Sequence, residues 1–285
     1  MPTKKKTEKR TIEDAYSEAL ARYAHRDNVT GIDIGYKYKE GEATEELAIR
    51  LHVKEKIPKS ALEAAEVFPE QIDGFPVDVI QGNYKPGAMR SSVSEVTNRT
   101  TRFGKLQPGI SVAHKDVSAG TLGMFVKDSR SGRAAILSNW HVLAGASSAS
   151  AGDPVTQPGS YDGGRHTRDT VASLERMILD KDGDAAIALL NNSRPFDPTI
   201  LDIGVVPDNT AEPKIGDEVV KSGRTTQVTR GRVEGRGRYF ITYSVGRVGV
   251  DGFIIVPRDR ANPTNEEISM GGDSGSVWLK EGTKT

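Results

Sequence analysis

Near the C-terminal end of the sequence, one serine stands in a setting that suits a nucleophile. Ser274 follows Asp273 and is flanked by Gly272 and Gly275. A turn of this kind lifts a hydroxyl clear of the backbone, and it lets the N–H groups of Gly272 and Ser274 point toward one ligand atom. Two such N–H groups are what the oxyanion of an acyl-transfer reaction requires. Because many surface loops are also rich in glycine and serine, this turn needs partners elsewhere in the chain.

A base and an orienting carboxylate are both available upstream of this serine. His141 comes at the end of a short apolar segment, residues 135–138, and Asp184 opens a second apolar run, residues 185–190. The chain order is therefore histidine, aspartate, serine. That order is one of the three known for Ser-His-Asp hydrolases, and it is the order of the chymotrypsin type.

The sequence resembles a trypsin-like, chymotrypsin-fold serine peptidase of the bacterial type that lacks disulfides. Residues 137–143 are similar to the family's Leu-Thr-Asn-x-His-Val segment, and residues 272–275 match its Gly-Asp-Ser-Gly. Residues 184–188 resemble the Asp-x-Ala-hydrophobic segment, which favours Asp184 over its rival Asp182. The resemblance covers residues 108–285. Two further segments, residues 223–226 and 46–54, are similar to bacterial peptidases related to the plant NAL-type proteases.

This resemblance implies a mainly β fold with two six-stranded antiparallel barrels and a site in the cleft between them. It implies a catalytic triad of His141, Asp184 and Ser274, with an oxyanion hole formed by the N–H groups of Gly272 and Ser274. In the family, the base of the substrate pocket lies six residues before the serine, which here is Ile268. An apolar residue there favours an uncharged side chain in the substrate, whereas a slip of register would bring in Glu266 instead.

Two departures from the family pattern leave questions open. No Ile-Val-Gly-Gly activation sequence is present, and residues 110–112 are only a faint echo of one. We therefore expect Asp273 to have a partner other than a new N-terminal amine, and an activating partner, a homo-oligomer and constitutive order remain alternatives. Few residues follow Ser274, so we expect a C-terminally incomplete second barrel that a missing segment or a second chain would complete.

Composition limits the remaining function classes. The chain has 285 residues, with 39 basic and 39 acidic side chains and no cysteine. This balance gives no reason to expect a nucleic-acid partner or a membrane partner. The sequence has neither an apolar run of transmembrane length nor the apolar core of a secretory signal. We expect a cytoplasmic protein that needs no cofactor and no metal.

The pattern along the chain predicts four segments. Residues 1–28 are interpreted as a basic tail and a helix that begins at Thr11, with Asp14 completing a capping box. Residues 29–84 are interpreted as a small α+β accessory lobe with a β-hairpin, a third strand and a short helix over residues 61–67. Its His52 is expected on an exposed strand face. Residues 85–107 are interpreted as a linker, and residues 108–285 as the peptidase domain of short strands.

These observations favour a serine endopeptidase that cleaves peptide bonds in proteins or peptides, with regulated activity inside the cell. Two other classes remain open. One is an esterase-type acyl hydrolase that uses the same three residues. The other is a catalytically silent module on a peptidase fold, which would bind peptides or serve a defence system.

Overall fold

A computed structural model of the protein describes residues 10–86, 98–258 and 267–285. The chain divides into two compact units. Unit 1 holds the chain up to Tyr84 together with Glu234–Phe240 and Asp251–Phe253, and unit 2 holds the remainder. The predicted basic residues 1–9 and most of the predicted linker, residues 87–97, lie outside the described residues. The grouping of two late segments with the N-terminal unit is a long-range feature that the sequence pattern does not indicate.

Strands dominate both units. In chain order, the structure contains α1 (Ile12–Tyr23), β1 (Val29–Lys39), β2 (Glu42–Val53), β3 (Gln71–Ile72), β4 (Phe75–Gln81), β5 (Ser111–His114), β6 (Gly120–Thr121), β7 (Met124–Lys127), β8 (Ala134–Ser138), α2 (Trp140–Leu143), β9 (Pro154–Thr156), α3 (His166–Asp169), β10 (Thr170–Asp180), β11 (Gly183–Leu190), β12 (Glu218–Gly223), β13 (Gln227–Tyr243), β14 (Gly246–Pro257) and β15 (Trp278–Lys280). The expected mainly β fold is confirmed. Among the described residues, no helix is both long enough and apolar enough to cross a bilayer.

The helix of unit 1 begins where the sequence predicts. The N–H of Asp14 donates to Thr11 Oγ1 at 3.2 Å, and the N–H of Thr11 donates to Asp14 Oδ2 at 2.8 Å, so both bonds of the capping box form. These bonds satisfy N–H groups that the first helical turn leaves without partners. The buried residues recur every four positions along one face, which is the spacing of an amphipathic helix: Ala15, Ala19 and Tyr23.

The sheet of unit 1 is built on the predicted hairpin. Strands β1 and β2 pair antiparallel, and Glu40 and Gly41 turn between them with φ of 55° and 88°. Two successive positive φ angles fit the tight turns that match strand twist. Strand β4 adds parallel to β2, β3 pairs with β4, and the segment Gly235–Tyr239 of β13 pairs antiparallel with β1.

Two predictions about unit 1 are wrong. Residues 61–67 do not form a helix; a single 3-10 turn spans Lys59–Ala61 instead. Seven residues supply too few hydrogen bonds to repay helix nucleation without a packed face. His52 is buried rather than exposed. Because β2 lies between β1 and β4, its last six residues are buried on both faces, so strand alternation does not carry one of them to solvent.

Unit 2 contains a seven-stranded antiparallel sheet with the order β6-β5-β9-β10-β11-β8-β7. Its core is apolar and includes Leu122, Ile136, Trp140, Leu143 and Val155. Strand β8 pairs with β11 so that Ser138 lies opposite Ala186. This register sets the end of β8, where α2 begins, beside the start of β11.

The second part of unit 2 carries the serine. Strand β12 pairs antiparallel with β15 on one side and with the first part of β13 on the other. Ile200, Val220 and Leu279 form a small buried cluster beneath these strands. Ser274 therefore comes a few residues before a strand that is fixed by β12.

Candidate active site

The histidine and one aspartate form a close pair in unit 2. His141 lies in α2, just after β8, and its Nδ1 is 2.5 Å from Asp184 Oδ2 at the start of β11. The backbone N–H of His141 also donates to Asp184 Oδ1 at 3.2 Å, and Asn139 Nδ2 donates to the Asp184 carbonyl at 2.7 Å. Since a carboxylate only accepts, Nδ1 carries the proton and Nε2 is left as the basic nitrogen. Asp182, the rival carboxylate, is exposed and contacts Lys181.

A tyrosine that the sequence reasoning missed completes this pair. The Tyr243 hydroxyl donates to Asp184 Oδ2 at 3.0 Å, from the end of β13. Its ring meets Trp140 edge to face, with ring centroids 6.1 Å apart. Burial, followed by the charge of Asp184, raises the pKa of Tyr243, so the hydroxyl keeps the proton it donates. A tyrosine at a hairpin end has no local sequence signature that would have revealed this contact.

Two consecutive turns shape the serine loop. The N–H of Asp273 donates to the Met270 carbonyl, and the N–H of Ser276 donates to the Asp273 carbonyl, each at 3.0 Å. Gly272 and Gly275 occupy the third position of the respective turns, with φ of 97° and 92°. Positive φ at that position is the mark of a type II turn, and glycine adopts it without strain. Ser274 is thereby held between two fixed bends.

Thr121, which is wholly buried, ties the serine loop to the strands that lead to His141. Its N–H donates to the Ser274 carbonyl at 2.7 Å, and its hydroxyl donates to the Gly272 carbonyl at 2.8 Å. Its own carbonyl accepts from Ser138 Oγ at 2.7 Å. A Cβ on Gly275 would lie 1.9 Å from that same Ser138 oxygen. The loop therefore packs against the residue at the end of β8, three positions before the histidine.

Asp273 is buried, and its carboxylate accepts from backbone and side-chain groups of the described part of unit 2. Its Oδ1 accepts from the N–H groups of Thr225 and Thr226 at 2.8 and 3.0 Å. Its Oδ2 accepts from the Thr226 hydroxyl at 2.7 Å and from the Met270 N–H at 2.9 Å. Lys221 Nζ lies 3.5 Å from Oδ2 and donates to the Thr226 hydroxyl at 2.7 Å. Burial lowers the pKa of Lys221, while the charge of Asp273 acts in the opposite direction.

Within the part of the chain that the structure describes, the groups that could react have no hydrogen-bond partner. His141 Nε2 is buried, and no described residue forms a hydrogen bond with it. Among the described residues, no hydrogen bond is formed by the Ser274 hydroxyl or by the N–H groups of Gly272 and Ser274. The structure thus brings His141 and Asp184 together and sets Ser274 in the adjoining loop, without a direct bond between the serine and the histidine. Catalytic hydrogen bonds are often long in the free enzyme and tighten when substrate binds.

The predicted pocket residue, Ile268, is the second residue of the described range 267–285. Ile268 is nearly buried, and its carbonyl accepts from the Thr229 hydroxyl at 2.7 Å. Its side chain approaches β13, because a Cβ on Gly231 would lie 3.3 Å from Ile268 Cδ1. Glu266 lies outside the described residues. The assignment of Ile268 to a substrate pocket stays a prediction.

Comparison with solved structures finds matches of low sequence identity. The chain is similar to bacterial serine proteases of the chymotrypsin fold. A glutamic-acid-specific serine protease matches with 21% identity and a TM-score of 0.44, over 61% of this chain and 79% of that protein. Nocardiopsis protease matches with 16% identity and a TM-score of 0.43, over 62% and 79%. Thermobifida fusca protease A matches with 17% identity and a TM-score of 0.42, over 61% and 77%. No family model matches the sequence, and the search of curated proteins finds no match.

Proposed function

We propose that the protein is a serine endopeptidase that acts through His141, Asp184 and Ser274. One observation carries the proposal. His141 donates its Nδ1 proton to a carboxylate, and its Nε2 has no hydrogen-bond partner among the described residues, in the unit where a serine is held between two glycine turns. This combination of a base, an orienting group and a nucleophile is recognised by geometry and roles.

In the first half of the reaction, Ser274 Oγ bonds to the carbonyl carbon of the peptide while its proton passes to His141 Nε2. The N–H groups of Gly272 and Ser274 hold the resulting oxyanion. The carbon–nitrogen bond then breaks, and the proton moves from Nε2 to the leaving amine. Asp184 fixes the imidazole in the correct tautomer and stabilises the imidazolium while it exists.

In the second half, a water molecule attacks the acyl ester on Ser274. His141 Nε2 takes a proton from that water, and the oxyanion forms again at the same two N–H groups. The ester bond breaks, the proton returns to Ser274 Oγ, and the carboxylic acid product leaves. Proton and electron-pair transfers balance over the cycle, and none of these steps uses a cofactor.

The network around Asp273 supports order in the loop without N-terminal processing. Four donors hold its carboxylate: two backbone N–H groups of residues 225–226, one hydroxyl and the Met270 N–H. The Lys221 side chain adds an ion pair at 3.5 Å. A Cβ on Gly223 would lie 2.3 Å from Asp273 Oδ1, so the strand end fits tightly against this carboxylate. We infer that this network takes the place of an activation amine and keeps the oxyanion N–H groups oriented.

A fluorophosphonate probe tests the proposal directly. We expect the full chain to be labelled at Ser274, with the adduct mapped by mass spectrometry, and to cleave unfolded protein substrates. Ser274→Ala should abolish both, whereas the exposed Ser193→Ala should change neither. Labelling with hydrolysis of small esters alone would favour an acyl hydrolase. Absence of labelling would favour a binding module and would refute the proposed function.

A further inference from the structure

Tyr243 is the feature of unit 2 that the three proposed catalytic residues do not account for. It is 7% exposed, and its hydroxyl is a second side-chain donor to Asp184 Oδ2, beside His141 Nδ1. Its ring centroid also lies 6.2 Å from that of His141. The Asp184 side chain is 11% exposed, and an oxygen that receives two donors there is fixed in direction, since moving it would leave a polar group unpaired.

The turn that follows Tyr243 also contacts the segment that comes after His141 in the chain. Ser244 Oγ donates to the Gly145 carbonyl at 2.8 Å, and the Gly145 N–H donates to the Trp140 carbonyl at 2.9 Å. Gly145 has φ of 77°, and a Cβ there would lie 2.4 Å from Val117. The turn therefore contacts both the strand that holds Asp184 and the segment that ends α2.

We propose that Tyr243 is a positioning residue that orients Asp184, and through it His141, and that the turn at Ser244 holds it there. This proposal rests on the proposed function and adds a fourth residue to its machinery. The hydroxyl acts on the carboxylate and not on the substrate. Its loss should therefore lower kcat while leaving KM unchanged, because ground-state binding does not use it.

The chain offers a matched control for Tyr243→Phe. Tyr239, on the same strand, also donates its hydroxyl to a carboxylate, Asp33 Oδ2 in unit 1, at 2.7 Å. Tyr239→Phe removes the same group from the same kind of acceptor, in the unit that does not contain His141. A general loss of stability should follow from both substitutions. A fall in kcat should follow only from Tyr243→Phe, because only Tyr243 contacts Asp184.

The experiment compares wild type, Tyr243→Phe and Tyr239→Phe. We expect Tyr243→Phe to lower kcat about tenfold, the kinetic equivalent of one hydrogen bond to a charged group, with KM unchanged. We expect Tyr239→Phe to leave both unchanged. Ser244→Ala, which keeps the tyrosine, should lower kcat by a smaller factor. An equal fall of kcat in the two tyrosine variants, or no fall in Tyr243→Phe, would overturn the proposal.

A second readout does not depend on activity. Proton NMR of the His141 Nδ1–H, assigned by its loss in His141→Ala, reports how well the imidazole is held by Asp184. Tyr243→Phe should speed exchange of this proton with water about tenfold, and Tyr239→Phe should not change it. If wild type is not labelled at Ser274, the proposed function fails while this exchange still decides the role of Tyr243. Unchanged exchange in Tyr243→Phe refutes that role.

Discussion

Asp33 in unit 1 and Asp184 in unit 2 are surrounded by the same kinds of side chain. Each has a histidine beside it and accepts from a tyrosine of β13: His52 and Tyr239 for Asp33, and His141 and Tyr243 for Asp184. The two sites differ in what else is present. Asp33 also receives Arg50 Nε and Nη2, at 2.7 and 2.5 Å, and its side chain is fully buried.

The second difference concerns the far nitrogen of each histidine. His52 Nδ1 is hydrogen-bonded to the Tyr84 hydroxyl at 2.7 Å, whereas His141 Nε2 has no hydrogen-bond partner in residues 10–86, 98–258 and 267–285. His52 Nε2 lies 3.2 Å from Asp33 Oδ1, although the two atoms are not aligned as a hydrogen bond. The positive charge of Arg50 offsets the negative charge of Asp33, so Asp33 would stabilise an imidazolium only weakly. A histidine bonded at its far nitrogen cannot accept a proton from substrate. The same residue types thus form a structural network in one unit and a candidate base in the other.

Substitution of the two carboxylates should give the largest contrast. Asp184→Asn should lower kcat about 10⁴-fold, because the amide favours the wrong imidazole tautomer. Asp33→Asn should leave kcat unchanged and lower the free energy of unfolding, because Arg50 then lacks its charged acceptor. Steady-state kinetics and urea unfolding of both variants test this. A large loss of activity in Asp33→Asn, in protein that remains folded, would contradict the separation of roles.

The arginine itself should show the next largest effect. Arg50 is 1% exposed and lies between two buried carboxylates, since Nη1 is also 3.4 Å from Glu234 Oε2. Arg50→Met removes the shared cation from two buried carboxylates, and we expect it to lower the free energy of unfolding by about 3–5 kcal/mol. Arg22→Met, which removes an exposed pair with Glu18, should lower it by about 0–1 kcal/mol.

Urea unfolding curves decide this prediction. Equal effects of the two arginine substitutions would show that burial of the cluster adds nothing. A large fall in kcat for Arg50→Met, under conditions where it is folded, would show that the network in unit 1 is not purely structural.

The sequence could predict the local parts of this molecule but not the contacts that join distant segments. The Thr11 cap, the hairpin after it and the motifs around His141, Asp184 and Ser274 are local patterns of residue type. Alternation along β2 predicts His52 at the surface. That inference holds only for a strand that has one face in solvent. Here a buried ionic network covers that face.

The sequence also does not predict two contacts between residues that are distant in the chain. Lys221 belongs to an apolar strand pattern, and nothing near it in sequence indicates that Asp273 would be its neighbour. Tyr243 and Asp184 are 59 positions apart. Hydrophobic periodicity reports which face of an element is buried, and it does not report which polar side chains meet inside. The network around Asp33 depends likewise on residues of β13 that pair with β1, a contact set by tertiary structure alone.

The smallest expected effect concerns pH, and it tests whether Arg50 and His52 hold Asp33 in its charged form. Burial alone would raise the pKa of Asp33, but Arg50 and His52 outweigh it and lower that pKa below its ordinary value of 3.8. Because the native value is lowered, the charged carboxylate stabilises the fold fully above pH 3.8. This stabilisation is lost as the pH falls through the lower native value.

Wild type should therefore exceed Asp33→Asn in unfolding free energy near neutrality, and the difference should shrink below pH 3.8. Urea unfolding of both proteins between neutral and acid pH measures it, and a difference that stays constant with pH would mean that Asp33 has the same pKa in the native and unfolded states, so that Arg50 and His52 do not lower it.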